Sequence, residues 1–506
     1  MRAVTTSERI RVNDAAAGTR GVRFRRFVWL VALVPPLLYS PAILREYGLR
    51  DDYSMLREAI VQPAKLIAVC VAEGRPIYGL LLSITHPHLD VPSLAVARLL
   101  AALLIGFAGA MFARILATRF QWSTASAVAA GILLALLPAT QVVASWASCW
   151  PQAAAGAMSI GAFAISDAGF DRRGPPRLLA ILAAFALLLA ATLTYQSNAL
   201  LYVVPVGAGW LGRRARTWRW LAGHLGLVAA ALALSFVITL VLFDVFGFRP
   251  SRRVVIDIHP FAKFVWFAQN ALREALGLYV LRDMMRRTEP WYTAMQALVA
   301  TGVVTSLFIG GGIRQAMKRT AGLGALLLVA YAVSFVAAER WPTYRTVWPL
   351  SGVVLIAFGL GVRRCLELGG AHQGRLRPVL AASIVALIAA SALWNVDRLV
   401  ARPQAEEWSR MMDEASGFDP QAGGRVFVVL QRPNTIVAPI RHLDEFGSLS
   451  ADADWVAKEM FIQALRTAHP DVADPATRLA WQSGYSAPPR GLVATIIDLR
   501  VPSDVH

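Results

Sequence analysis

Long, uninterrupted apolar runs constrain this chain more than any other feature, because roughly 18 to 22 apolar residues suffice for a helix to cross the hydrocarbon core of a bilayer. Eleven such runs can be read, near 24–44, 92–113, 123–143, 152–169, 178–194, 198–212, 221–243, 291–312, 320–338, 348–362 and 378–396. Hydrophobic residues make up 56% of the chain and charged ones 16%, a balance that excludes a soluble domain of this length. The expected fold class is therefore an all-α polytopic membrane protein with about eleven transmembrane helices.

Arginine placement gives an orientation. Clusters at Arg20/Arg23/Arg25/Arg26, Arg114/Arg119, Arg172/Arg173/Arg177, Arg213/Arg214/Arg216/Arg219, Arg314/Lys318/Arg319 and Arg363/Arg364/Arg375/Arg377 fall at every second connection, and those ends are expected on the cytoplasmic side. The alternate connections near 145–151 and 194–197 carry neither Lys nor Arg. The amino terminus is thus expected in the cytoplasm and the carboxyl terminus in the periplasm, across a bacterial inner membrane. The first run holds Pro35-Pro36 and lacks a small-residue cleavage site before Arg45, so it reads as a retained anchor rather than a signal peptide.

The formal net charge of +18 does not point to nucleic acid. Residues 1–396 hold 39 basic and 17 acidic side chains, whereas residues 397–506 hold 11 and 15, so the basic excess follows the membrane part and its anionic lipids. Three regions follow: a cytoplasmic segment at 1–23, a membrane domain at 24–396 and a periplasmic unit at 397–506. Outer connections are expected at 45–91, at 244–290 and at Glu339-Arg-Trp-Pro-Thr-Tyr-Arg345. Within the first, Tyr53 to Val71 has apolar residues at helical spacing around Arg57, Glu58 and Lys65, and Gly74-Arg75-Pro76 breaks it before a second apolar stretch, giving two interfacial helices. In the tail, 425–430 and 491–497 read as buried strands flanking a helix near 452–468, a small α/β domain with no catalytic pattern.

The three cysteines form no motif: Cys70 and Cys149 are placed outside and Cys365 inside, and spacing does not establish that any two approach. His86-Pro-His88 lacks further Cys or acidic ligands and reads as loop histidines rather than a metal site.

Asp51-Asp52, directly after the first apolar run, is the strongest chemical feature. The plain reading is a pair of acids capping an interfacial helix. The functional reading gains from company on the same side: the cations Lys65, Arg75, Arg340 and Arg345, and the aromatics Trp146, Trp150, Tyr195, Trp341 and Tyr344. Carboxylate, cation and aromatic together are what sugar-phosphate chemistry needs. Arginines at span ends are commonly plain anchors, Trp146 and Trp150 fit an aromatic belt, and Tyr195-Gln196 fits a helix-to-helix hydrogen bond.

At these residues the sequence resembles the bacterial O-antigen-type glucosyltransferases of the GT-C superfamily. The elements that match are Asp51-Asp52-Tyr53 after the first span, Gly74-Arg75-Pro76 before the second, Tyr195-Gln196-Ser197 at the end of a middle span, and Arg345 followed by Pro349, over roughly 25–360. The family often carries another acid in the outer connection after the third span, where this chain reads Ser145-Trp-Ala-Ser-Cys-Trp-Pro-Gln152 and has none. The resemblance implies a GT-C-like membrane domain and a polyprenyl-phosphate sugar donor, with glucose the expected sugar and a glycan or lipid the acceptor. It also implies inversion at the anomeric carbon, with Asp51 or Asp52 as the base. Around them the expected binding residues are Lys65, Arg75, Trp150, Gln152, Tyr195, Gln196, Arg340, Tyr344 and Arg345, with Arg345 the first choice for the phosphate. No cofactor is expected; a divalent metal is compatible with the chemistry but not indicated. Two other readings stay open: a transporter or flippase of lipid-linked sugars, and a polymerase or ligase whose site would be the 244–290 loop with Arg249, Arg252, Arg253 and His259.

Overall fold

In a computed structural model the chain is described at residues 28, 30–212, 216–251, 253–283, 289–310, 312–368, 376–420, 424–432, 445–471, 479–486 and 495–500. Segment 1–23, expected in the cytoplasm, and Arg213, Arg214, Arg252, Arg375 and residues 491–494 lie outside these.

Among the described residues six helices are long and apolar enough to cross a membrane: Leu94–Arg119, Ala147–Phe170, Pro175–Thr194, Trp218–Phe246, Tyr344–Leu368 and Pro378–Ser416. Thr124–Ala135 and Pro138–Ser145 make a seventh if counted as one span bent by 54°. The bend falls where Pro138 opens the second helix, since proline has no N–H to continue the first. The expected count of eleven goes beyond these six or seven. The run near 198–212 is broken into Gln196–Ala199, Leu200–Tyr202 and Val203–Leu211, and the run near 320–338 into Ile313–Val329 and Ala332–Val336. The first run begins outside the described residues, and the run near 291–312 folds as Glu289–Phe308.

Small residues let these helices meet backbone to backbone. A Cβ added at Gly109 would stand 2.7 Å from the Gly131 carbonyl oxygen, and one at Gly361 only 1.9 Å from that of Gly302. Close approach of this kind is how apolar helices associate where lipid is as apolar as leucine.

The connection after the first apolar run folds as three helices rather than two: Asp51–Val61, Pro63–Ala72 and Pro76–Thr85. The extra break is at Pro63, which cannot donate an N–H and forces Gln62 out of helical geometry, at φ −142 and ψ 58.

The boundary expected at 396/397 falls inside a helix. Leu376–Trp394 passes through a π-helical turn at Asn395–Ala401 into Arg402–Ser416 and so carries the chain into the C-terminal unit. There, three parallel strands, β1 (Gly424–Val429), β2 (Leu479–Gly484) and β3 (Thr495–Asp498), lie in the order β2-β1-β3, with Gly424 opposite Leu479 and Val426 opposite Thr495. β1 buries Val426 to Val429, as its unbroken apolar run requires of a central strand. β2 escapes a pattern reading because Leu-Ala-Trp-Gln-Ser-Gly has no β-branched residue and is half exposed.

The C-terminal unit packs on the first connection. Gln463 donates to the Tyr53 carbonyl at 3.0 Å, the Tyr53 ring stacks on Trp408 at 5.7 Å, and Arg57 pairs with Glu459 at 2.9 Å.

Candidate functional site

The site begins at a strained residue. Arg50, just before the Asp51–Val61 helix, has φ 44, a left-handed conformation that a residue with a Cβ adopts at a cost. It is held there from the C-terminal unit: its N–H donates to Ser450 Oγ at 2.9 Å and its guanidinium reaches Asp452 at 3.2 Å.

Helix geometry turns the two following acids about 100° apart, and they have different surroundings. Asp52 is fully buried, and its Oδ2 accepts the N–H of Leu49 at 2.8 Å and of Ala147 at 3.3 Å, while Oδ1 accepts that of Ser148 at 2.8 Å. It therefore staples the first connection to the 145–149 connection, the one where the sequence carries no acid of its own. Burial pushes its carboxyl above the usual range, against those N–H donors and Arg98. The structure thus places the two acids differently: Asp52 is engaged by three backbone N–H groups.

Asp51 is only partly covered, and no hydrogen bond reaches its carboxylate from the described residues. Burial raises its pKa to about 6; Arg345 is the largest opposing influence, Asp52 and Glu73 push it further up, and Arg50 pulls it down. A carboxylate with no hydrogen-bond partner among the described residues and a pKa pushed up to about 6 suits a general base at neutral pH.

Arg345 lies in the first turn of Tyr344–Leu368. Its guanidinium sits 4.2 Å over the Trp146 ring, donates to Cys149 Sγ at 3.6 Å, and has its Nε 3.8 Å from Glu445 Oε1. Gln152, buried one helical turn after Cys149, donates to the same sulfur at 3.2 Å, and its Oε1 has no partner among the described residues. Trp150 is buried at the start of that helix.

Arg75 is fixed rather than loose in its glycine-proline bend. It pairs with Glu73 at 2.7 Å and its guanidinium lies 4.3 Å over the Tyr195 ring. Gln196 donates to the Gly74 carbonyl at 2.5 Å, and Gly74 is at φ 76 with a Cβ position only 2.9 Å from that amide nitrogen, so glycine is required there. Arg253 takes the other oxygen of Glu73 at 2.6 Å and also meets Glu339 at 3.1 Å. Glu73, Gly74, Arg75, Gln196, Arg253 and Glu339 form the polar end of a cavity of about 360 Å³ whose remaining wall is mostly apolar, including Leu232 and Phe236 of Trp218–Phe246 and Val333 and Val336 of Ala332–Val336, with the hydroxyls of Ser235 and Thr239 among them.

Three expected members do not join. Lys65 pairs with Glu58 at 2.5 Å with its side chain 55% exposed, because its place on Pro63–Ala72 turns it to solvent. Arg340 meets Asp257 at 3.3 Å on the exposed rim. Tyr344 is buried, accepts the Arg282 N–H at 2.9 Å and packs edge-on to Phe446, so it serves packing. Sequence reasoning missed Glu73 and Glu445, and gave Arg253 only to the polymerase or ligase reading. Glu73 stands beside Gly74-Arg75-Pro76 and was within reach of a charge reading; Glu445 lies far along the chain with no local signal.

Cys70 and Cys149 are both free thiols. Among the described residues no group of three or more His, Cys, Asp or Glu is placed to hold a metal ion. His86 is buried, which holds its pKa down at about 4.

No protein-family model matches the chain, and no curated protein proves similar to it.

Proposed function

We propose that the protein is an inverting membrane glycosyltransferase that moves a sugar, with glucose the first candidate, from a polyprenyl phosphate to a hydroxyl of a glycan or lipid acceptor. The observation that carries this reading is the placement of Asp51 in the field of Arg345, with no hydrogen bond to its carboxylate among the described residues and with burial holding its pKa up at about 6. The resemblance at Asp51-Asp52-Tyr53, Gly74-Arg75-Pro76 and Tyr195-Gln196 supports it, as does an apolar cavity that ends at Arg75 and Arg253.

In this mechanism the acceptor hydroxyl attacks the anomeric carbon as Asp51 takes its proton. The bond from that carbon to the phosphate oxygen breaks with its electron pair on the phosphate, and the departing phosphate is stabilised by Arg345, with Arg75 the second cation proposed for it. Arginine suits the task because its planar fork can bind two phosphate oxygens at once. Trp150, Gln152, Tyr195 and Gln196 would line the sugar and its phosphate. The proposed setting is a bacterial inner membrane crossed eleven times, with the amino terminus in the cytoplasm and the site and C-terminal unit in the periplasm.

The test is transfer of labelled sugar from synthetic polyprenyl-phosphate glucose to a lipid or oligosaccharide acceptor by purified protein in nanodiscs, with the anomeric configuration of the product read by NMR. An inverted linkage formed only with the protein supports the reading. Failure to bind or consume any polyprenyl-phosphate sugar removes it.

A further inference from the structure

We propose that Glu445 of the C-terminal unit is a positioning residue for Arg345, so that this unit completes the reaction cleft rather than standing apart from it. The inference rests on the glycosyl-transfer reading. Glu445 is fully buried and accepts the N–H of Tyr344 at 2.9 Å and of Arg345 at 3.3 Å, the first free donors of the Tyr344–Leu368 helix. Its Oε1 also lies 3.8 Å from Arg345 Nε. One carboxylate thus fixes where the helix starts by two hydrogen bonds and faces one edge of the guanidinium as an ion pair, while Trp146 and Cys149 hold its face and far end.

The same unit holds the other flank of the cleft. Ser450 and Asp452 secure Arg50, immediately before Asp51, and Gln463 and Glu459 secure Tyr53 and Arg57, just after it. The base and the cation come from elements far apart in the chain, and contacts from the C-terminal unit fix both. Placement errors of about 1 Å between reacting groups can cost about 100-fold in rate, so such bracing has a kinetic value.

The experiment uses full-length protein in nanodiscs with polyprenyl-phosphate glucose as donor, comparing wild type, Glu445→Gln, Glu445→Asp, Arg345→Gln and the double variant Arg345→Gln/Glu445→Gln. Glu445→Gln is expected to lower kcat/KM by about 10- to 100-fold, chiefly through donor KM, and to add nothing further once Arg345 is already Gln. The pH profile separates positioning from simple damage. Asp51 faces Arg345, Arg50, Asp52 and Glu73; with Glu445 neutralised, the Arg345 charge acts on it uncompensated, so the acidic limb moves to lower pH. Arg345→Gln moves the limb to higher pH, and Glu445→Asp, which keeps the charge, leaves it in place even if stability falls. Unchanged kcat/KM and limb in Glu445→Gln, or equal losses with and without Arg345, overturn the proposal. A wild type that consumes no donor overturns the glycosyl-transfer reading and this inference with it, whereas an active wild type with an indifferent Glu445→Gln removes only this inference.

Discussion

The Ser148 N–H donates to Asp52 Oδ1 at 2.8 Å, which ties the carboxylate after the first apolar run to the turn before the Trp150–Phe170 helix. Because Leu49 and Ala147 donate to the other oxygen, Asp52 works as a buried three-way acceptor. An Asn there can present only one carbonyl oxygen and would turn an NH₂ group toward N–H donors. Asp52→Asn should therefore destabilise the fold by about 1–3 kcal/mol, seen as a lower unfolding midpoint in detergent. Stability equal to wild type would contradict the staple.

Arg345 should behave as a fork rather than a point charge. Its guanidinium is packed over Trp146 and set by Glu445, so Arg345→Lys should weaken donor binding about tenfold and Arg345→Gln more, with the fold intact. Donor titration by quenching of intrinsic fluorescence reads both. Equal, wild-type affinity in the two variants would reduce Arg345 to a membrane anchor.

Asp51 predicts an acidic limb. With a pKa of about 6 it is the active carboxylate above that pH, so kcat/KM should fall roughly tenfold per unit below it and level off above about 7. The stability effect has the opposite sense. A carboxyl raised from 3.8 to about 6 favours the folded state when protonated, so its contribution is fully present below 3.8 and is lost as pH rises through 6. Activity and stability should therefore change in opposite directions across this window, read by a rate profile beside a thermal-unfolding series.

The membrane character was legible in the apolar runs, and the first connection in its prolines and its Asp pair, because those signals are local. Of the eleven runs, six or seven appear as long apolar helices among the described residues, because Leu200–Tyr202 and Tyr331 interrupt stretches that composition alone reads as continuous. Asp51 and Asp52 are visible together in the sequence, but their different surroundings depend on the backbone of Ala147 and Ser148, which lies elsewhere in the chain. Lys65 reads as a site cation from its charge and its place in the first connection, yet helix phase sends it to Glu58. Glu445 had no sequence signal at all: its value comes from the docking of the C-terminal unit, which adjacency along the chain does not encode.

The decisive comparison is single-turnover transfer by Asp51→Asn against wild type, with donor affinity measured on the same preparations. Asn keeps the size of Asp51 and removes its capacity to take a proton, so the rate should fall by about 100-fold or more while the donor Kd stays within about twofold. An Asp51→Asn protein that transfers sugar at the wild-type rate would contradict the assignment of the base and leave the cleft without its proposed chemistry.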